Sequence, residues 1–111
     1  MDPIINAVLK PKSIAVIGAS TNPEKIGYKV VENLKNCGYQ NPVYPINPDA
    51  EEILGYKCYP NIKDVPYVVD MAVVTVPARF VSEVTRDAGE KGVKGLSIIT
   101  SGFSEVGDHA L

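Results

Sequence analysis

The sequence predicts an α/β domain in which a parallel sheet carries helices on both faces. Three observations predict it. Short apolar runs recur at Ser13-Ile14-Ala15-Val16-Ile17, Asp70-Met71-Ala72-Val73-Val74 and Gly95-Leu96-Ser97-Ile98-Ile99, without the polar alternation of a half-wet strand. Segments with helical apolar spacing lie between them. Glycine or proline stands where each segment should stop: Gly18, Gly38, Pro77 and Gly92.

The elements follow in order. Ser13 to Ile17 is the first strand, closed by Gly18. Glu24 to Asn36 reads as a helix, because Ile26, Val30, Leu34 and Cys37 share one face and Gly38 supplies a left-handed stop. Pro42 to Ile46 is the second strand, broken by Asn47-Pro48-Asp49. Ala50 to Leu54 fits a single helical turn before Gly55, and Tyr56 to Tyr59 a short third strand closed by Pro60. Asp70 to Val76 is the fourth strand. A second helix follows, with Phe80, Val81, Val84 and Ala88 on one face and Gly92 at its end. Gly95 to Thr100 is the fifth. Alternating strands and helices imply a doubly wound, Rossmann-like sheet of about five strands in the order 3-2-1-4-5. Gly107-Asp108 has the look of another helix start with three residues left, so the last covering helix is expected to be missing.

Composition bounds the rest. The chain has 111 residues, 45% of them hydrophobic and 22% charged, which suits one domain over residues 1–111 with a single core. A net charge of −2 argues against an electrostatic nucleic-acid binder. No apolar run approaches the roughly 18–20 residues that span a bilayer, and Met1-Asp2-Pro3-Ile4-Ile5 lacks the positive start of a secretory signal. A cytoplasmic protein without a membrane partner is expected. Cys37 and Cys58 are far apart and read as core or near-core residues. The single histidine, His109, stands close to the end, so no triad or metal cluster is expected.

A ligand in such a sheet belongs outside the carboxyl ends of the strands, where the order reverses between the first and fourth. The segments meeting there are Gly18-Ala19-Ser20-Thr21-Asn22-Pro23, Asn47-Pro48, Val76-Pro77-Ala78 and Thr100-Ser101-Gly102-Phe103. The first leads into a helix, whose free N–H groups and positive dipole end favour a phosphate or pyrophosphate. Ser20, Thr21 and Lys25 add hydroxyls and a charge. The dinucleotide fingerprint G-x-G-x-x-G is not met, since Gly18 is followed by Ala19-Ser20-Thr21 and the next glycine is Gly27. Asn47 occupies the place where a nicotinamide site wants Asp or Glu. The Walker sequence is absent. Both common nucleotide readings are weakened.

Ser13-Ile-Ala-Val-Ile-Gly-Ala-Ser20 with Asn22-Pro23, Lys25 and Gly27 resembles the opening of the CoA-binding domain of NDP-forming acyl-CoA synthetases. Tyr44-Pro45-Ile-Asn-Pro48, Ile53-Leu-Gly55 to Tyr59-Pro60, Val76-Pro77-Ala78 and Ser101-Gly102-Phe103 match that family in the same order, from about Pro11 to Gly107. The branch it is most similar to is the ADP-forming acetate–CoA ligase type, with the succinyl-CoA synthetase alpha subunit more distant. The resemblance implies coenzyme A as ligand. It places the Gly18–Asn22 loop against the CoA nucleotide and pyrophosphate, and Pro48 and Val76-Pro77 as walls around adenine or the pantetheine arm. Ser101-Gly102 would lie near the path to the thiol. The succinyl-type pattern has a lysine where this chain has Ala50, so Lys25 or Lys57 would have to compensate. The family's phosphoryl-carrying histidine and ATP-grasp portion have no counterpart here. The chain alone is therefore expected to bind CoA or acyl-CoA and to catalyse nothing, with catalytic and ATP-grasp domains or subunits of a parent ligase as partners.

Two other readings stand beside it: a stand-alone CoA-binding protein, and an NAD(P)-binding redox-sensing module. Among single residues, Phe103 sits at the expected site edge. Arg79 reads as a solvated helix start, and Glu83, Asp87 and Glu90 as the wet face of their helix. Asp49, Glu51 and Glu52 are expected to face solvent, away from a polyphosphate.

Overall fold

The computed structural model describes residues 10–99, and over that span it is a doubly wound parallel sheet. Its strands are β1 (Ile14–Ile17), β2 (Val43–Ile46), β5 (Met71–Val74) and β6 (Gly95–Ile98), in the spatial order β2-β1-β5-β6. All three pairings are parallel, with Ile14 opposite Val43 on one side and Met71 on the other. The expected order of the first, second, fourth and fifth strands therefore holds. The expected third strand is reduced to one parallel bridge between Tyr59 and Ile46 at the outer edge of β2.

Ala50 to Leu54 forms no helical turn. Glu52–Ile53 (β3) and Tyr56–Lys57 (β4) pair antiparallel as a small hairpin instead. Its two turn residues, Leu54 and Gly55, both have positive φ, 53° and 90°. That is the backbone a two-residue turn needs to match the twist of its strands. Lys35 Nζ donates to the Leu54 carbonyl at 2.8 Å and ties the hairpin to the neighbouring helix.

β1 is buried throughout, which explains its unbroken apolar run. Ile14 and Val16 point to one layer with Val31, Val43, Ile53 and Cys58. Ala15 and Ile17 point to the other with Ile46, Ile62, Val65, Val74 and Ala88. Helix α1 (Ile26–Asn36) covers the first face and α2 (Val81–Lys91) the second. α2 ends at Gly92, whose φ of 91° gives the left-handed stop. The deepest residues of α1 are Gly27 and Val31, one position round from the predicted stripe, and Cys37 is exposed while Cys58 is buried.

Proline in a central strand would cost a ladder hydrogen bond. Pro45 avoids this because β2 is next to the edge and its outward carbonyl accepts from Tyr59 N–H at 3.0 Å. At the amino end of the sheet, Ser13 and Asp70 are buried yet satisfied. Ser13 Oγ donates to the Val68 carbonyl and accepts from Asp70 N–H, both at 2.9 Å. The Asp70 carboxylate accepts from Lys12 N–H at 2.9 Å and faces Lys94 Nζ at 3.5 Å.

Candidate functional site

The carboxyl ends of β1, β2 and β5 open into one crevice, and glycine is required at two points of its floor. Gly18 leaves β1 with φ of 92°, and a Cβ there would stand 2.7 Å from Thr75 Oγ1. Gly27, in the first turn of α1, lies so close to the β1 exit that a Cβ would stand 2.0 Å from the Gly18 carbonyl oxygen. Close helix–strand approach is thus achieved without the third glycine of the dinucleotide fingerprint. Thr75 locks the two central strands at the reversal point, its N–H and Oγ1 both donating to the Ile17 carbonyl, at 2.8 and 2.9 Å.

Gly18 and Val76 divide the crevice into two compartments. The one on the α2 side is a cavity of about 470 Å³. Its walls are Ile17, Ala19, Ile46 and Pro48 from the β1 and β2 exits, Pro60 and Ile62, and Val76, Phe80 and Val84. The polar groups facing it are Asn47, Asn61 and the carboxylates of Asp49, Glu83 and Asp87; among the described residues no lysine or arginine lines it. Asn47 holds the two neighbouring exits together through Nδ2, which donates to the Ala19 carbonyl at 2.9 Å, while its Oδ1 accepts locally from Asp49 N–H at 2.7 Å.

The other compartment, about 420 Å³, lies at the start of α1. Ser20, Glu24, Lys25, Ile26, Gly27, Thr75 and Pro77 line it. The turn into the helix is built by its own side chains. Ser20 Oγ accepts from Asn22 N–H and Asn22 Oδ1 accepts from Glu24 N–H, each at 3.0 Å. Lys25 is the N-cap and makes no side-chain cap bond. The first amides of α1 have no carbonyl a turn earlier within the helix and carry its positive dipole end toward this compartment.

The residues singled out in the sequence are therefore distributed as follows. Gly18 and Val76 line both compartments, Ala19, Asn47 and Pro48 the first, and Ser20, Lys25 and Pro77 the second. Thr21, Asn22 and Ala78 are exposed and line neither. Ser101, Gly102, Phe103 and His109 lie outside the described residues. Lys57 is remote from the crevice, on the β4 hairpin with Nζ 5.3 Å from the Tyr59 ring centre, and Arg79 stacks over Phe80 at 4.8 Å. Sequence reasoning missed the α2 contribution. Phe80, Glu83, Val84 and Asp87 form an i, i+3, i+4, i+7 stripe along one wall, so the half-buried Asp87 and the exposed Glu83 both border the cavity. Asp49, Glu51 and Glu52 are all exposed as expected, but Asp49 also borders the cavity.

Charge sorts the two compartments. A phosphate about 4 Å from a carboxylate meets a repulsion of about 4 kcal/mol at an effective dielectric near 20. The α2 side, with its three carboxylates and apolar walls, suits a neutral flat group that donates hydrogen bonds. The α1 side, where Lys25 stands beside Glu24 and the Ser20 hydroxyl and a helix start add donors, is the one that suits an anion. Among the described residues no group of His, Cys, Asp and Glu side chains is placed to hold a metal ion. No helix among them is long and apolar enough to cross a membrane.

Residues 12–108 match the family described as CoA binding domain. The chain is 49% identical over 106 residues to the ADP-forming acetate–CoA ligase II of Archaeoglobus fulgidus, and 47% identical over 107 residues to the alpha subunit of the ADP-forming acetate–CoA ligase II of Pyrococcus furiosus. Each alignment covers 96% of this chain, but only 16% and 23% of the respective relatives. Among solved structures, the apo dinucleotide-forming acetyl-coenzyme A synthetase 1 of Ca. Korarchaeum cryptofilum superposes with a TM-score of 0.87 at 48% identity, over 96% of this chain and 23% of that one.

Proposed function

Because this chain belongs to the CoA binding domain family and coenzyme A is its cofactor, we propose that the crevice around Gly18 seats the nucleotide end of CoA. Adenine enters the α2-side compartment and the pyrophosphate crosses Gly18 to the start of α1. The observation that carries this orientation is the charge division of the crevice, with three carboxylates and no cation among the described lining residues of one side, and Lys25, one carboxylate (Glu24) and a helix start on the other. Gly18, Ala19, Asn47, Pro48 and Val76 form the floor and walls beneath the nucleotide. Ser20, Lys25 and Pro77 flank the phosphates, and Thr21, Asn22 and Ala78 form the rim. Ser101, Gly102 and Phe103, outside the described residues, are assigned to CoA binding in the same reading.

The chain is a CoA-binding domain of the kind found in ADP-forming acyl-CoA synthetases. In our reading, residues 1–111 act as the CoA-binding unit of such a ligase. Thioester formation and its coupling to nucleotide phosphorylation are carried out by further domains or subunits, and this unit presents the cofactor to them.

Titration calorimetry of the 111-residue chain with CoA, NADH and NADP tests the reading. Saturable heat with CoA and none with the two nicotinamide cofactors is expected. No heat with CoA at near-millimolar concentration, beside a clear NADH signal, would overturn it.

A further inference from the structure

We propose that Asp87 and Asn61 read the 6-amino edge of the CoA adenine and so make the site selective for adenine over other purines. The inference rests on the seating of adenine in the α2-side compartment.

Asp87 is the best-held of the three carboxylates facing that cavity. Its side chain is only 16% exposed, Oδ2 accepts from Asn61 Nδ2 at 3.2 Å, and Oδ1 lies 3.5 Å from Lys63 Nζ. The Asn61 amide is oriented in turn, because its Oδ1 accepts from Lys63 N–H at 2.9 Å. Nδ2 therefore faces Asp87 and keeps a second N–H. The pair offers the cavity an acceptor beside a donor, fixed by the chain's own hydrogen bonds before any ligand arrives. Ile46, Ile62, Val76 and Val84 supply the flat apolar walls around it.

Adenine carries the complementary pattern on one edge, an amino donor beside a ring-nitrogen acceptor. A purine with a 6-keto group reverses it. Its oxygen would meet the Asp87 carboxylate, and its ring N–H would meet the Asn61 amide. Both contacts are unfavourable, and one buried polar group after another would be left without a partner.

The test uses the 111-residue chain, with CoA and the deaminated CoA analogue whose 6-amino group is replaced by a keto oxygen. Wild type is expected to bind CoA at least about tenfold more tightly, the range of a two-bond base contact. Asp87→Asn can turn an amide donor toward the keto group, so the ratio should fall to near one or invert. Asn61→Ala, which deletes the donor, should also reduce the ratio and serves where Asp87→Asn fails to fold. A merely structural tie between Asn61 and α2 would weaken both ligands equally and leave the ratio unchanged, and that result overturns the inference. Equal wild-type affinity for the two ligands also overturns it, with CoA binding itself intact. If the wild type binds neither ligand, the seating of CoA in the crevice falls, and this inference with it.

Discussion

Replacing Gly27 with alanine should destabilise the domain, although alanine is the better helix former. A Cβ at this position stands 2.0 Å from the Gly18 carbonyl oxygen and 2.9 Å from Ala19 Cα, where ordinary contact begins at 3.4 Å. The obstacle is backbone, so no rotamer change relieves it, and α1 must move off the β1 exit by more than about 1 Å. Such overpacking costs about 1–3 kcal/mol, with backbone against backbone at the upper end. The gain in helix propensity returns about 1 kcal/mol, leaving a net loss of about 2 kcal/mol. For a domain of this size that lowers Tm by about 8–16 °C. Gly89→Ala is the matched control. Gly89 lies inside α2, and a Cβ there meets nothing within 4 Å. This variant should gain up to about 1 kcal/mol and raise Tm by about 4–8 °C. Thermal unfolding followed by circular dichroism measures both. Because Gly18 floors the crevice, Gly27→Ala should also weaken CoA binding, while Gly89→Ala leaves it unchanged. A Gly27→Ala protein as stable as the wild type, or two variants shifted in the same direction, would refute the close-approach reasoning.

Three further outcomes are expected. Ser13→Ala strands the Asp70 N–H and the Val68 carbonyl, so urea unfolding should show a loss of about 1–3 kcal/mol; CoA affinity should hold, since Ser13 lies at the opposite end of the sheet. Asn47→Ala cuts the bond that joins the β1 and β2 exits and the local one that shapes the β2 exit, which should cost about 1–2 kcal/mol of stability and weaken CoA measurably in calorimetry. Burial, helped by the neighbouring Tyr59 and Tyr67, raises the Tyr44 hydroxyl above its ordinary value. A raised folded pKa contributes stability that is complete below the unfolded value near 10 and lost as pH rises through the raised one. Tyr44→Phe should accordingly lose less stability than the wild type between about pH 9 and about pH 11, as read from urea midpoints.

β1 was legible because burial on both faces writes itself as an unbroken apolar run at Ile14–Ile17, and β5 and β6 were legible from apolar runs although β5 is only half buried and β6 is largely exposed. The ends of both helices were legible through Gly38 and Gly92, each with positive φ. The hairpin at Glu52–Lys57 was not. Its turn uses Leu54 in a conformation normally given to Asn, Asp or Gly, so Gly55 alone signals the turn and reads equally as a helix stop. The stripe of α1 was read in part: Val30 and Leu34 pack against the core as expected, but Gly27 and Val31 lie deeper and Cys37 is exposed. The closest contact to β1 is made by Gly27, which has no side chain and so does not register as apolar. At the site, the Gly18 loop, Asn47 and Val76 could be placed from topology alone. Glu83 and Asp87 could not, because the polar face of a helix reads the same whether it borders bulk water or a crevice.

The central position of β1 also governs when the crevice can exist during folding. Asn47 reaches Ala19 across 28 residues, but Thr75 reaches Ile17 across 58. The β1–α1–β2 segment can assemble on the shorter loop, whereas β5 must close the longer one at a greater entropic cost. Gly18 belongs to the early segment and Val76 to the late one, and both compartments need both residues. Ligand binding thus reports on completion of the fold: a refolding chain acquires its CoA seat only when β5 docks, and fluorescence or calorimetric signals from CoA should lag behind helix formation.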